Sequence, residues 1–224
     1  MDMNCKVIPV IHFESEAQAL RNAELAYDAE CAGVFLIHME GQNHLLAPVA
    51  RLIKSRWPDM LVGINYLGRD PAAATAANIA DGLDMTWTDV QLTHSEAAPW
   101  DGAVRVREAL VRNPAHRVFA GVAFKHQRHE PQPELAARTA HAFGLIPTTS
   151  GPATGVAAET AKIAQLRAVL GNAPLAIASG ITPENAREFA PYLSHILVAT
   201  GVSASFHDFD FEKLYRLRVI CQNL

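Results

Sequence analysis

The feature that most constrains this chain is an alternation. Eight short apolar runs are separated by stretches with helical spacing. The runs cover residues 6–12, 33–38, 60–65, 83–87, 117–124, 145–149, 174–179 and 194–200. The helices are expected at 15–31, 44–57, an Ala-rich stretch opening at Asp70-Pro71, then 103–112, 133–143, 157–170, 182–190 and 211–224. Such alternation implies a parallel sheet covered by helices, because parallel strands must be joined by crossovers. Eight units in 224 residues favour closure into a (β/α)8 TIM barrel over an open doubly wound sheet. An open sheet usually carries G-x-G-x-x-G after strand 1, whereas this strand runs into His12-Phe13-Glu14. Pro9 lacks the N–H that an interior strand donates, so the first run depends on the rhythm of the whole chain. Residues 1–224 are read as one barrel domain.

Helix faces follow the same logic. Ala17, Leu20, Ala23, Tyr27 and Cys31 recur at three- and four-residue spacing and mark the expected buried stripe of the first helix. Ile163, Leu166 and Leu170 do so near the sixth, and Phe211, Leu214, Leu217 and Cys221 on the last.

Charge narrows the partners. The net charge is −4, so no broad positive field gathers nucleic acid or an anionic membrane. No run is long and apolar enough for a bilayer, and Met1–Lys6 lacks the pattern of a secretory leader. The three cysteines are far apart in sequence and form no C-x-x-C pair, which suggests reduced structural thiols and a cytoplasmic location. The motifs call for no cofactor and no metal. The expected partner is a phosphorylated small molecule, and a homo-oligomer is compatible with everything above.

In a barrel the carboxyl ends of the strands line the active site. Those ends carry His12; His38, Glu40 and Gly41; Asn65 and Tyr66; Trp87 and Asp89; Lys125 and His126; Thr149, Ser150, Gly151, Thr154 and Gly155; Ser179 and Gly180; and Thr200 and Gly201. They are titratable or small, while the strand bodies are apolar. Glu40, His12 and His38 are candidate acids and bases. Lys125 is a candidate for holding an anion or stabilising developing negative charge. Asn65, Asp89, Thr149, Thr154 and Gly155 are candidate substrate contacts. A metal set of His38, Glu40, His126 and His129 lacks supporting ligand spacing.

The sharpest motif is Ser179-Gly180-Ile181-Thr182-Pro183-Glu184-Asn185. Thr182 suits a helix cap and Pro183 a first helical position. Free N–H groups there form an anion site. Strand 8 then ends in Thr200-Gly201-Val202-Ser203. Many barrels bind phosphate on the loops after strands 7 and 8. The expected phosphate contacts are therefore Gly180, Ile181, Thr200, Gly201, Val202 and Ser203. The competing reading is that these glycines only let strands turn tightly into helices.

Four segments resemble the BtpA family of barrel proteins: VGIN with RDPAAA, VAFKHQ, TSGPATG, and SGITPEN with ATGVS. PVIH and GVFLIHMEG agree more loosely. Strand 4 departs, with Met85-Thr86-Trp87-Thr88-Asp89 where relatives tend to show an arginine and an asparagine. The last two loops also resemble those of phosphoribosyl-handling barrels such as phosphoribosylanthranilate isomerase. That chemistry needs a cysteine after strand 1 and an aspartate after strand 6, and this chain has His12 and a Thr/Ser/Gly run. The resemblance implies the fold and a phosphate site but not the isomerase mechanism. The expectation is an enzyme acting on a phosphorylated small molecule, by isomerisation, lyase chemistry or phosphoribosyl transfer. The alternatives are a non-catalytic assembly or binding protein and a metal-dependent hydrolase.

Overall fold

The computed structural model describes residues 5–98 and 100–223. Eight parallel strands, each paired to the next and the last to the first, close a barrel. They are β1 (Lys6–His12), β2 (Gly33–Ile37), β3 (Leu61–Asn65), β4 (Met85–Thr88), β5 (Arg117–Gly121), β6 (Ile146–Thr149), β7 (Ala176–Ala178) and β8 (His195–Val198). The helices are α1 (Glu16–Asp28), α2 (Leu46–Arg56), α3 (Pro71–Ala80), α4 (Asp101–Arg112), α5 (Pro133–Ala142), α6 (Thr160–Leu170), α7 (Ala186–Phe189) and α8 (Phe211–Gln222). The expected TIM barrel is the observed fold. Pro9 lies inside β1, registered against Val198 of β8.

Strand alternation divides the core in two. Ile8, Val10, Phe35, Ile37, Met85, Phe119, Ala176, Ala178 and Leu197 point into the barrel and form one cluster. Their neighbours Val7, Ile11, Val34, Leu36, Val118, Ile177, Ile196 and Val198 point outward and pack under the helices. Full burial of such a side chain contributes roughly 1.5–3 kcal/mol, so either layer far outweighs any single cap or ion pair.

Local chemistry sets the helix starts. Ser15 caps α1 by accepting from the Gln18 N–H at 3.2 Å. Asp70 caps α3 by accepting from Ala73 at 2.9 Å, with Pro71 at the first helical position. The expected α1 stripe is corrected. The buried face is Gln18, Ala19, Asn22, Ala23 and Ala26, while Tyr27 is half-exposed. The two buried amides face the segment after β8. The Gln18 and Asn22 side chains donate to the His207 carbonyl, and Asn22 Oδ1 accepts from the Phe209 N–H. Polar residues are buried here because they satisfy a backbone that crosses above the helix.

The expected helix over 182–190 is also corrected. α7 is only four residues long and is followed by a 3-10 turn at Ala190–Tyr192. Thr182 to Asn185 form a turn instead. The Thr182 N–H donates to Asn185 Oδ1 at 2.9 Å, and its hydroxyl accepts from Glu184. Pro183 therefore does not open a helix, and no long helix dipole points at the Gly180 loop.

The cysteines, distant in sequence, come together beneath the barrel. Cys5 stands beside Cys221, which also lies near Cys31. All three are buried and free. No helix among the described residues is long and apolar enough to cross a membrane.

Candidate functional site

A cavity of about 420 Å³ opens at the carboxyl ends of the strands. Its floor is the top of the interior cluster: Val10, Ile37, Trp87, Phe124, Ala178 and Leu197. Asp89, Lys125 and His12 bring titratable groups to its walls, and Gly180, Ile181, Thr200 and Gly201 form one side.

Asp89 follows β4 directly. Its Oδ2 accepts from Asn65 Nδ2 at 3.0 Å, and its carbonyl accepts from Gln127 Nε2 at 2.7 Å. Burial pushes its carboxyl above the usual carboxylate range, against the opposing pull of the Asn65 bond and the Lys125 charge. Lys125 moves the other way: burial lowers its ammonium, and Asp89 opposes that. Its Nζ donates to Thr154 Oγ1 at 2.9 Å. A carboxyl and an amine whose protonation equilibria are both drawn toward neutrality suit proton transfer.

The loop after β5 is shaped to present Lys125. Ala123 and His126 hold left-handed backbone angles, φ 46° and 64°. Such strain persists only where surrounding contacts impose it, and those contacts are present. Ser150 Oγ accepts from the Lys125 N–H at 2.8 Å. From α6, Lys162 Nζ donates to the carbonyls of Ala123 and Ser150 at 2.8 and 3.1 Å. Farther out, the buried Glu130 carboxylate accepts from the N–H groups of Ser95 and Gln132 and from the Ser95 hydroxyl, tying the loops after β4 and β5 together.

His12 at the end of β1 lines the cavity. Its Nδ1 is 3.2 Å from the Phe206 carbonyl, and the two rings lie 4.5 Å apart. Burial lowers its imidazole below the usual range, partly offset by the Phe206 bond. It is therefore harder to protonate than a free imidazole.

The loops after β6, β7 and β8 lean on one another. A side chain at Gly201 would strike the Ile181 carbonyl, and one at Gly180 would strike the Val156 carbonyl and Ala157. Glycine is required there for close backbone approach, and at Gly180 also for its φ of 77°. Ser179 adopts φ 98°, and its hydroxyl accepts from the Gly155 N–H at 3.0 Å and donates to the Ala153 carbonyl. Among the described residues, the N–H groups of Gly180, Ile181, Thr200 and Gly201 have no acceptor in the protein.

Several expected site residues lie elsewhere. Glu40 is exposed and does not line the cavity. His38 does not line it either; its Nδ1 accepts from the Glu40 N–H and its ring packs on Phe13. The turn after Ile37 carries both away from the mouth, leaving Met39 as its contribution. Asn65 and Thr149 are buried behind the wall, Asn65 holding Asp89 and Thr149 facing the Ala123 carbonyl. Thr154 and Gly155 line the cavity. Val202 is fully buried with its N–H donating to the Ala199 carbonyl, and Ser203 donates its N–H to the Thr200 carbonyl and its hydroxyl to the Ala199 carbonyl, so neither residue offers a free donor to the cavity. His38, Glu40, His126 and His129 form no ligand cluster: no group of three or more His, Cys, Asp or Glu suited to a metal occurs among the described residues.

Other lining residues were not among the candidates read from the sequence. Met39, Leu67 and Phe206 belong to loops, and only the packed structure brings them to the mouth. Gln127 was within reach, because VAFKHQ had already singled out its segment.

No family model matches the chain, and no curated protein matches it in sequence. Solved structures share the fold. Phosphoribosyl anthranilate isomerase from Thermus thermophilus superposes with a TM-score of 0.67 at 18% identity, over 96% of this chain and 97% of that one. Thiamine phosphate pyrophosphorylase from Pyrococcus furiosus gives 0.64 at 15% identity, over 98% and 96%. A native KDPGal structure gives 0.67 at 15%, over 96% and 91%. Identities this low establish the barrel, and one barrel hosts many chemistries.

Proposed function

We propose that this protein is an enzyme acting on a phosphorylated small molecule, with the phosphate held between the loops after β7 and β8. The observation that carries the reading is the set of unpaired N–H groups at Gly180, Ile181, Thr200 and Gly201, all on one side of the cavity. Backbone donors of this kind hold phosphate without a lysine or arginine. A helix dipole plays no part, since α7 is a single turn. Further support comes from two of the neighbours above, which carry phosphorylated compounds in their names.

Asp89 takes or delivers the proton, and Lys125 stabilises negative charge that develops beside it. Asp89 replaces Glu40 and His38 in this role, and His12 is a hydrogen-bonding partner in the cavity wall. Isomerisation, lyase chemistry and phosphoribosyl transfer all suit such a pair. The BtpA resemblance belongs to the same proposal: VAFKHQ, TSGPATG, SGITPEN and ATGVS each contribute residues to the cavity wall. A cytoplasmic location fits the three free, buried thiols.

The test is a screen of phosphorylated metabolites for turnover, followed by titration with inorganic phosphate. Asp89→Asn and Lys125→Met should lose turnover, while Asp89→Asn keeps phosphate affinity and Glu40→Gln changes neither. Turnover that survives Asp89→Asn would remove the acid–base assignment.

A further inference from the structure

We infer that the ligand of this site is amphipathic: a phosphate ester whose remaining body is compact and apolar, not a polyol. The inference rests on the phosphate reading above and concerns what lies beyond the phosphate. Three observations carry it.

The first is the floor. Val10, Ile37, Phe124, Ala178 and Leu197 present hydrocarbon and ring surface to the space below the phosphate loops, and Trp87 adds an indole whose Nε1 has no partner among the described residues. Trp87 and Phe124 meet edge to face with centroids 6.4 Å apart, a rigid apolar wall.

The second is the state of the polar side chains around that floor. Several have part of their capacity engaged with the protein, while Gln127 Oε1 has no partner among the described residues. Lys125 Nζ bonds Thr154, Gln127 Nε2 bonds the Asp89 carbonyl, and Ser179 bonds both Gly155 and Ala153. His12 Nδ1 bonds the Phe206 carbonyl, and Asp89 gives one oxygen to Asn65. Hydroxyls of a sugar phosphate set against the floor itself would meet hydrocarbon and be buried without partners, which is unfavourable.

The third is the mouth. Met39 and Phe206 are 50% and 58% exposed at its rim. Large apolar side chains flanking an apolar cavity gain burial when an apolar ligand covers them.

Calorimetric titration of the whole protein with inorganic phosphate, phenyl phosphate and ribose 5-phosphate tests this. Phenyl phosphate should bind at least about tenfold tighter than ribose 5-phosphate, in line with ~1.4 kcal/mol. The rim variant Met39→Ser/Phe206→Ser changes exposed positions and should fold. It should weaken phenyl phosphate several-fold and leave inorganic phosphate unchanged. Ribose 5-phosphate binding as tightly as phenyl phosphate, with inorganic phosphate also bound, would overturn this inference and leave the phosphate site standing. Binding of none of the three would overturn the phosphate reading itself. A phenyl phosphate preference untouched by the rim variant would overturn the part assigned to Met39 and Phe206.

Discussion

Asn65 Nδ2 donates a 3.0 Å hydrogen bond to Asp89 Oδ2, joining the ends of β3 and β4 behind the cavity wall. Asp89 is thereby held between opposing influences. Burial raises its carboxyl, while Asn65 and the Lys125 charge lower it. Asn65→Leu removes one lowering influence, so Asp89 should titrate at a higher pH than in the wild type. Lys125→Met should act in the same direction. Carboxyl NMR titration reads both. An unchanged Asp89 in both variants would show that neither neighbour governs its protonation.

The phosphate loops give a contrasting pair of variants. The Ser203 hydroxyl serves the Ala199 carbonyl within the turn after β8. Ser203→Ala should lower stability by about 0.5–1.5 kcal/mol, the net value of an ordinary hydrogen bond, and leave phosphate affinity intact. At Gly201 even alanine would collide with the Ile181 carbonyl. Gly201→Ala should therefore lower stability by about 1–3 kcal/mol through overpacking, before any ligand is added. Denaturant unfolding without ligand measures both. A charged replacement at Gly201 cannot isolate the anion site, because the backbone has to shift first.

How much of this was legible depended on the kind of signal. Barrel closure was legible because eight strands write eight apolar runs, and a parallel strand must be followed by a crossover. Lys125, Asp89, Thr154 and Gly180 were legible because each follows a strand closely. Glu40 and His38 follow one too, yet the turn after Ile37 sends them away from the mouth, and turn geometry leaves no period in a sequence. The α1 face was misread for a related reason. Gln18 and Asn22 are buried to satisfy the carbonyl of His207, some 185 residues away in the chain. The length of α7 was misjudged because Thr182-Pro183 reads as a helix start, whereas Asn185 turns back to take the Thr182 N–H.

The thiols give a third prediction. The neighbouring Cys221 thiol and burial raise Cys5 well above the usual thiol range, and burial pushes Cys31 up to about 12. The thiolate is the reactive form, so at pH 7 the native protein should react with a disulfide reagent far more slowly than the unfolded chain. Rapid modification of any of the three thiols in the native state, with the fold intact by circular dichroism, would contradict this packing.

His195 gives the last. It lies in the barrel interior near the amino ends of the strands, edge-on to Phe119 with ring centroids 5.2 Å apart. Its Nδ1 pairs with Ser194 Oγ at 2.8 Å, and its buried Nε2 has no partner among the described residues. Burial, with Lys6 and Arg117 adding repulsion, lowers its imidazole from 6.5 to about 3. In the unfolded chain it regains its ordinary affinity for a proton. Between these values the unfolded state binds the extra proton, so stability is fully present above pH 6.5 and is lost as pH falls toward 3. The loss is on the order of 1.4 kcal/mol for each pH unit of that window. His116, also lowered by burial, shares part of the window and leaves a residual slope in any His195 variant. Denaturant unfolding of wild type and His195→Asn at pH 7, 5.5 and 4.5 separates them. The variant starts less stable, having lost packing against Phe119, but should fall less steeply on acidification. Carboxylates contribute alike to both proteins, so the difference in slope isolates His195. Parallel curves would mean that His195 accepts its proton within the folded barrel.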